Sequence, residues 1–204
     1  MRTAISIALT LAAATTAVAQ TIPLPAKVSA PSGHYELDPA HASVLWRIQH
    51  LGLEQYTAKF TKIAGTVDYD AADPARSKLD VTIDANSVHT DFPFADKKDF
   101  DAEIRGFLGA TANPSIHFVS RSIRKTGPNG GTITGDLTLN GVTKPATLDA
   151  VWDGAILSPF PPHAPVFGIS ATGTINRTSF GVNNYAPAVG EMVELRIEAE
   201  FDKK

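Results

Sequence analysis

The chain has 204 residues, 43% of them hydrophobic and 19% charged, with 18 basic and 21 acidic side chains for a formal net charge of −3. That length suits one globular domain or at most two small ones, and a mildly acidic balance without a basic run excludes nucleic acid as a partner. There is no cysteine, so disulfides, thiol nucleophiles, thiolate metal sites and lipid attachment through a modified cysteine are all excluded.

The chain opens with one basic residue, Arg2, then an apolar Ala-rich run that ends in Ala17-Val18-Ala19. This pattern predicts a secretory signal peptide over residues 1–19, cut after Ala19, and so a periplasmic location. The run is short and diluted by threonine, against the roughly 20 strongly apolar residues a spanning helix needs, so the chain is not expected to span a membrane. Cleavage removes Arg2 and leaves 17 basic against 21 acidic residues, a net charge of −4. The remaining length is enough to bury an ordinary core. Residues 20–33, "QTIPLPAKVSAPSG", are rich in proline and small residues and predict a flexible leader or loosely attached arm.

From residue 34 to 204 the chain becomes a series of short alternating runs. Val44, Trp46 and Ile48 share one face. So do Leu79, Val81 and Ile83; Ile116 and Phe118; Ile133, Leu137 and Leu139; Leu148 and Trp152; Phe167, Ile169 and Ile175; and Val193, Leu195, Ile197 and Phe201. Most of the residues that alternate with them are polar, the period of strands with one buried and one wet face. Spacers such as "DYDAADPARS" and "TGPNGG" carry turn residues, and this meander favours an antiparallel sheet. One stretch breaks the period: Phe100, Ile104, Phe107 and Leu108 stand at i, i+4, i+7 and i+8, with acids early, which predicts a short amphipathic helix. The fold class is therefore mainly β, a closed barrel or sandwich with one helix. A barrel of about eight strands either just fills with side chains or holds one ligand. Asn140-Gly141 predicts a tight hairpin, since both residues tolerate positive φ. Pro145 cannot donate to a ladder, so the returning strand is an edge or is bulged there; a bulge at Lys144-Pro145 would let Leu148 rejoin the face of Leu137 and Leu139.

No catalytic constellation emerges. The six histidines, His34, His41, His50, His89, His117 and His163, include no pair at i, i+2 or i, i+4, so no preassembled metal pair exists. There is no nucleophile elbow and no phosphate-binding glycine loop. His41 and His50 read as hydrogen-bonding residues at strand ends, and His117 as solvent-facing. Asp99, Asp101 and Glu103 are explained by a helix dipole. Arg177 either anchors a turn through carbonyl groups or meets a polar head group. On composition and spacing alone, the aromatic faces read as packed core.

Several segments together resemble the YceI-like family: "YELDPAHASVLWRIQHLG", "SKLDVTIDANSVHTD", "FL" with "NPSIHF", "GDLTLNGVTKPATL", and "FGISATGTINRTSFGV" with "VELRIEAEF". The resemblance runs from Tyr35 nearly to the C-terminus. It implies an antiparallel lipocalin-like β-barrel of about eight strands with a helix against it, a periplasmic binding or carrier role without catalysis, and no cofactor or metal. It further implies a long-chain apolar ligand, an isoprenoid, isoprenoid quinone or fatty-acid-like amphiphile, and homodimers within the family. The chain departs from the family where "DAEI" replaces a His-Leu-Arg-Ser segment before the Phe-Leu pair. Combined with the alternating faces, the resemblance turns a subset of the apolar residues into expected tail contacts: Val44, Trp46, Ile48, Phe60, Val81, Ile83, Phe118, Leu137, Leu139, Leu148, Trp152, Phe167, Ile169, Leu195 and Ile197. Two alternatives stand beside a carrier: an interaction protein whose barrel is filled by its own side chains, and an enzyme acting on a lipid head group through His41, His50 or the acids of residues 99–103.

Overall fold

The computed structural model describes residues 23–94 and 96–204; the expected signal peptide and the first residues of the leader lie outside them. Ten strands follow in chain order: β1 (Gly33–His50), β2 (Glu54–Phe60), β3 (Ile63–Tyr69), β4 (Lys78–Asp84), β5 (Val88–His89), β6 (Ser115–Lys125), β7 (Gly130–Leu139), β8 (Val142–Leu157), β9 (Pro165–Asn176) and β10 (Val189–Lys203). Among the described residues a single α-helix, α1 (Phe100–Phe107), lies between β5 and β6. All pairings are antiparallel, and β10 pairs back onto β1, which closes the sheet.

Two pairs of strands act as single bent strands. The first half of β1 pairs with β3 and its second half with β2, so β2 and β3 form one strand kinked at Thr61-Lys62. β4 and β5 bend across the same corner through a 3-10 turn at Ala85–Ser87. The corner exposes backbone donors that a straight ladder would have satisfied. Buried Ser87 takes them: its Oγ accepts from Thr61 N at 3.2 Å and Lys62 N at 3.1 Å and donates to Asp84 O at 2.7 Å. Counted this way, the wall is a closed antiparallel barrel of eight strands, the size expected to fill or to hold one ligand.

The β7–β8 hairpin turns at Asn140 (φ 50°) and Gly141 (φ 73°), as that dipeptide requires. The expected bulge at Lys144-Pro145 is not there. The β7–β8 register runs without a shift from Leu139↔Val142 to Gly130↔Val151, placing Pro145 opposite Asp136. Pro145 is tolerated for the other reason: β9 pairs with β8 only from Leu148 onward, so residues 142–147 form a local edge where a missing N–H costs nothing. Leu148 needs no bulge to share the face of Leu137, because the two strands keep parity throughout.

Real bulges occur elsewhere. In β1 the register to β10 shifts between Leu37 and Ala42. Asp38 fills that irregularity, accepting from Ala40 N at 2.8 Å and bonding His41 Nδ1 at 2.7 Å. In β8 the shift to β9 lies between Trp152 and Gly154 (φ 122°). There the arm expected to be loosely attached is pinned: Val28 bridges to Ala155, Lys27 Nζ donates to Asp153 O at 2.7 Å, and Ala30 is buried. The sequence pattern missed this docking because the arm pairs through a single bridge and has no alternating run of its own.

Candidate functional site: an apolar lumen closed at one end

The registers of β1, β10 and β9 stack the inward side chains in rungs of directly opposed residues. From one end of the barrel to the other they read Leu37, Phe201 and Phe167; then Ala42, Ala199 and Ile169; then Val44, Ile197 and Ala171; then Trp46, Leu195 and Gly173; then Ile48, Val193 and Ile175. β4, β6, β7 and β8 complete the wall with Leu79, Val81, Ile83, Ile116, Phe118, Ile133, Leu137, Leu139, Ala146 and Leu148. These side chains do not meet in the middle. They enclose about 540 Å³, within the roughly 300–1,000 Å³ of small-molecule sites. A barrel filled by its own side chains leaves few voids larger than a water molecule, so this void tells against the filled-barrel alternative.

One end is plugged. Phe167, 1% exposed, stands against four other rings: Tyr35 at 4.7 Å, Trp152 at 4.8 Å, Phe201 at 5.3 Å and Tyr69 at 5.6 Å between centroids. Trp152 also stacks on Tyr69 at 5.4 Å. From the far side, Tyr35 Oη donates to Pro31 O at 2.7 Å, and Lys203 Nζ sits over the Tyr35 ring at 5.3 Å. Burial raises the pKa of both Tyr35 and Tyr69 above the ordinary tyrosine value, and each is raised further by a neighbour, Tyr69 and Asp70 respectively. Both therefore stay neutral at any physiological pH.

The other end is the mouth. It is framed by the end of β1, the start of β2, the loop before β10, and α1. The helix brings the whole predicted stripe, Phe100, Ile104, Phe107 and Leu108, to the lumen. It is held at one end by aromatic contacts, Phe100 to Phe92 at 5.2 Å and to Tyr56 at 6.0 Å, and at the other by Phe107 to Tyr185 at 5.6 Å. Asp99 caps it, accepting from Ala102 N at 2.8 Å. Asp101 ties it to β5, accepting from Thr90 N at 2.9 Å and Thr90 Oγ1 at 2.5 Å, with His89 Nδ1 at 3.2 Å. Burial pushes the Asp101 carboxyl up, but the bonds from Thr90 and His89 outweigh it, and the group titrates below the usual aspartate range. The mouth also carries polar groups: His50, Glu54, Glu103, Asn184 and Tyr185.

Arg177 sits beneath the mouth, 6% exposed. Its guanidinium donates to three carbonyls, Nη1 to Val182 at 2.6 Å, Nε to Gly190 at 2.8 Å and Nη2 to Val189 at 2.8 Å. Of its two expected roles, anchoring the turn is the one this geometry displays. Burial lowers its pKa, partly offset by Glu191.

Thirteen of the fifteen predicted contact residues line the void; Trp152 and Phe167 do not. Both continue the period of their strands, but they lie below the floor, in the plug. The lining missed by sequence includes Tyr56, Phe92, Phe201 and the helix stripe. The stripe itself was visible, but no periodicity says which wall a helix covers. Two residues of the enzyme alternative, His50 and Glu103, stand at the mouth, and the others lie elsewhere. His41 lies outside near the plug end, bonded to Asp38 and 4.0 Å from Glu200. Asp99 and Asp101 serve the helix. His50 and Glu103 reach the rim, where His50 lies 4.0 Å from Glu54 and Glu103 pairs with Lys98. His117 lies on the outer wall, 2.8 Å from Asp80.

Comparison with known proteins agrees with this architecture. Residues 35–201 match the model of the YceI-like domain. The chain is 37% identical over 174 residues to protein YceI of Shigella flexneri, covering 84% of this chain and 88% of that one, and 36% identical over the same length to a UPF0312 protein of Serratia proteamaculans. Among solved structures, the YceI protein of Campylobacter jejuni superposes with a TM-score of 0.65 at 28% identity, over 77% of this chain and 90% of its own. Burkholderia cenocepacia BcnA shares the fold with a TM-score of 0.70 at 20% identity, over 80% of this chain and 98% of its own. A polyisoprenoid binding domain from Saccharophagus degradans does so at 0.55 and 15%, over 83% and 98%.

Proposed function

The chain belongs to the YceI-like family, and from that premise we propose that it is an exported, periplasmic carrier that holds a long-chain amphiphile tail-first in its lumen. The single observation that carries this reading is the void itself, about 540 Å³ lined by apolar side chains from all eight strands and the helix, with a sealed floor and a polar mouth. The tail contacts are the thirteen lining residues named above. A tail that buries roughly 600 Å² gains ~15 kcal/mol at ~25 cal/mol/Å²; ordering the tail and losing rigid-body freedom offset much of that. Binding of this kind needs no catalytic group. The fold shared with a polyisoprenoid binding domain supports an isoprenoid tail. At the mouth Glu103 pairs with Lys98, Glu54 lies 4.0 Å from His50, and Arg177 sits beneath them, so the rim is compatible with an uncharged head, a quinone or alcohol, and with a fatty-acid carboxylate.

The test uses the two tryptophans, one in the lumen and one in the plug. The lipid-stripped mature chain is titrated with decylubiquinone, whose ring quenches indole fluorescence. Saturable quenching is expected, and Trp46→Phe should lose most of it while Trp152→Phe keeps it. Linear, non-saturating quenching that is the same in both variants would contradict the reading.

A further inference from the structure

The plug does more than close the barrel: we propose that it gauges the tail, with Phe201 as the residue that fixes the longest chain accepted. This inference rests on the carrier reading above. Phe201 is the plug ring that faces the void, and it cannot swing aside. Phe167 stacks behind it at 5.3 Å and is itself held by Tyr35, Tyr69 and Trp152. Tyr35 in turn is tied to the docked arm through Pro31 O. The floor is Phe201 beside Leu37, its cross-strand partner; the Phe201 ring, backed by interlocked rings and a chain segment, stops a tail where an unsupported flexible side chain would yield.

The rung above supplies the complementary half of the device. There Ala42 and Ala199 stand opposite each other on β1 and β10, and both face the void. Their small side chains leave a clear path down to Phe201, so the terminal unit of the tail lies over the two alanines and against one ring. Tail length is then set by how many rungs separate the mouth from the floor. Consecutive inward residues are ~6.8 Å apart along a strand, which at a tilt of ~40° is ~5 Å along the barrel axis. One rung therefore accommodates about one isoprenyl unit in extended form.

Dissociation constants are measured for the lipid-stripped chain with all-trans isoprenyl alcohols that differ by single units. In the wild type the affinity should rise about tenfold or more per unit while each new unit is buried, then stop rising at a definite length. Phe201→Ala should move that break about one unit longer, and Ala199→Phe should move it about one unit shorter. Phe201→Leu, a smaller cavity change, serves if Phe201→Ala does not fold, and should soften the break. Intact binding with the break unmoved by Phe201 substitutions and by Ala199→Phe overturns the gauge and leaves the carrier reading standing. No saturable binding of any alcohol by the wild type overturns both.

Discussion

Arg177 offers the sharpest energetic test of how the mouth is built. Three of its donors bond carbonyls of the 182–190 segment, and that segment contributes Asn184, Tyr185 and Val189 to the lumen rim. A hydrogen bond to a charged group contributes ~1.5–3 kcal/mol, so the three together reach about 4–9 kcal/mol gross. Replacing the residue also releases the cost of burying a guanidinium, and carbonyls near an open mouth regain water, so the net loss for Arg177→Met should be ~3 kcal/mol. At ~2–4 °C per kcal/mol for a domain of this size, Tm should fall by about 6–12 °C. Lysine keeps the charge, but one ammonium on a flexible stem cannot match a planar fork aimed at three carbonyls, so Arg177→Lys should still lose ~2 kcal/mol. The assay is urea and thermal unfolding of the lipid-stripped protein, since a bound ligand would add its own stabilisation. A loss below ~1 kcal/mol for methionine, or a lysine variant as stable as the wild type, would refute the anchoring role.

Three further outcomes are expected. A Cβ at Gly135 would meet Val119 O at 2.3 Å and the Phe118 ring at 2.6 Å; backbone cannot yield as a side-chain tip can, so Gly135→Ala should cost ~1–3 kcal/mol, read from the urea midpoint. Because the folded pKa of Asp101 is depressed, its contribution is fully present above the unfolded value of about 4 and is lost as pH falls through the folded value. The stability gap between wild type and Asp101→Asn should therefore narrow steadily on acidification below pH ~4, and a gap independent of pH would contradict this. His41 behaves oppositely. Its bond to Asp38, with the nearby charges of Asp38 and Glu200, raises its pKa, so its contribution is present below the unfolded value of about 6.5 and is lost as pH rises through the folded one. In an NMR titration Asp38→Asn should bring the His41 midpoint down, and an unchanged midpoint would show that the pair does not form in solution.

The strands were legible because each buries one face, and a period of two is the direct trace of that burial. The lumen faces of β1, β4, β6, β7, β9 and β10 follow from it, as does the apolar stripe of α1. Position along the barrel axis leaves no such trace. Trp152 and Phe167 continue the alternation of Leu148 and Ile169 without a break, yet they lie below the floor while those two line the void. The bulge between Leu37 and Ala42 reverses which parity points inward, and only the cross-strand register reveals it. Pro145 announces that a donor is missing but not how the strand tolerates the loss; the answer lies in β9, whose pairing with β8 begins three residues later. Hollow and filled barrels share the same alternation, because periodicity records which side chains point inward and not whether they meet. The alanines at 42 and 199 make part of the difference, and their meaning appears only when β1 and β10 are paired.

The central claim, that the lumen holds an apolar tail, is tested most directly by native mass spectrometry of the protein purified from its own host, beside an organic extract of the same sample. The expected result is a discrete added mass that is recovered in the extract as an isoprenoid lipid and is lost when Val44→Glu and Ile197→Glu charge the lumen wall. A clean ligand-free mass that persists after incubation with isoprenoid quinones and alcohols would contradict the claim.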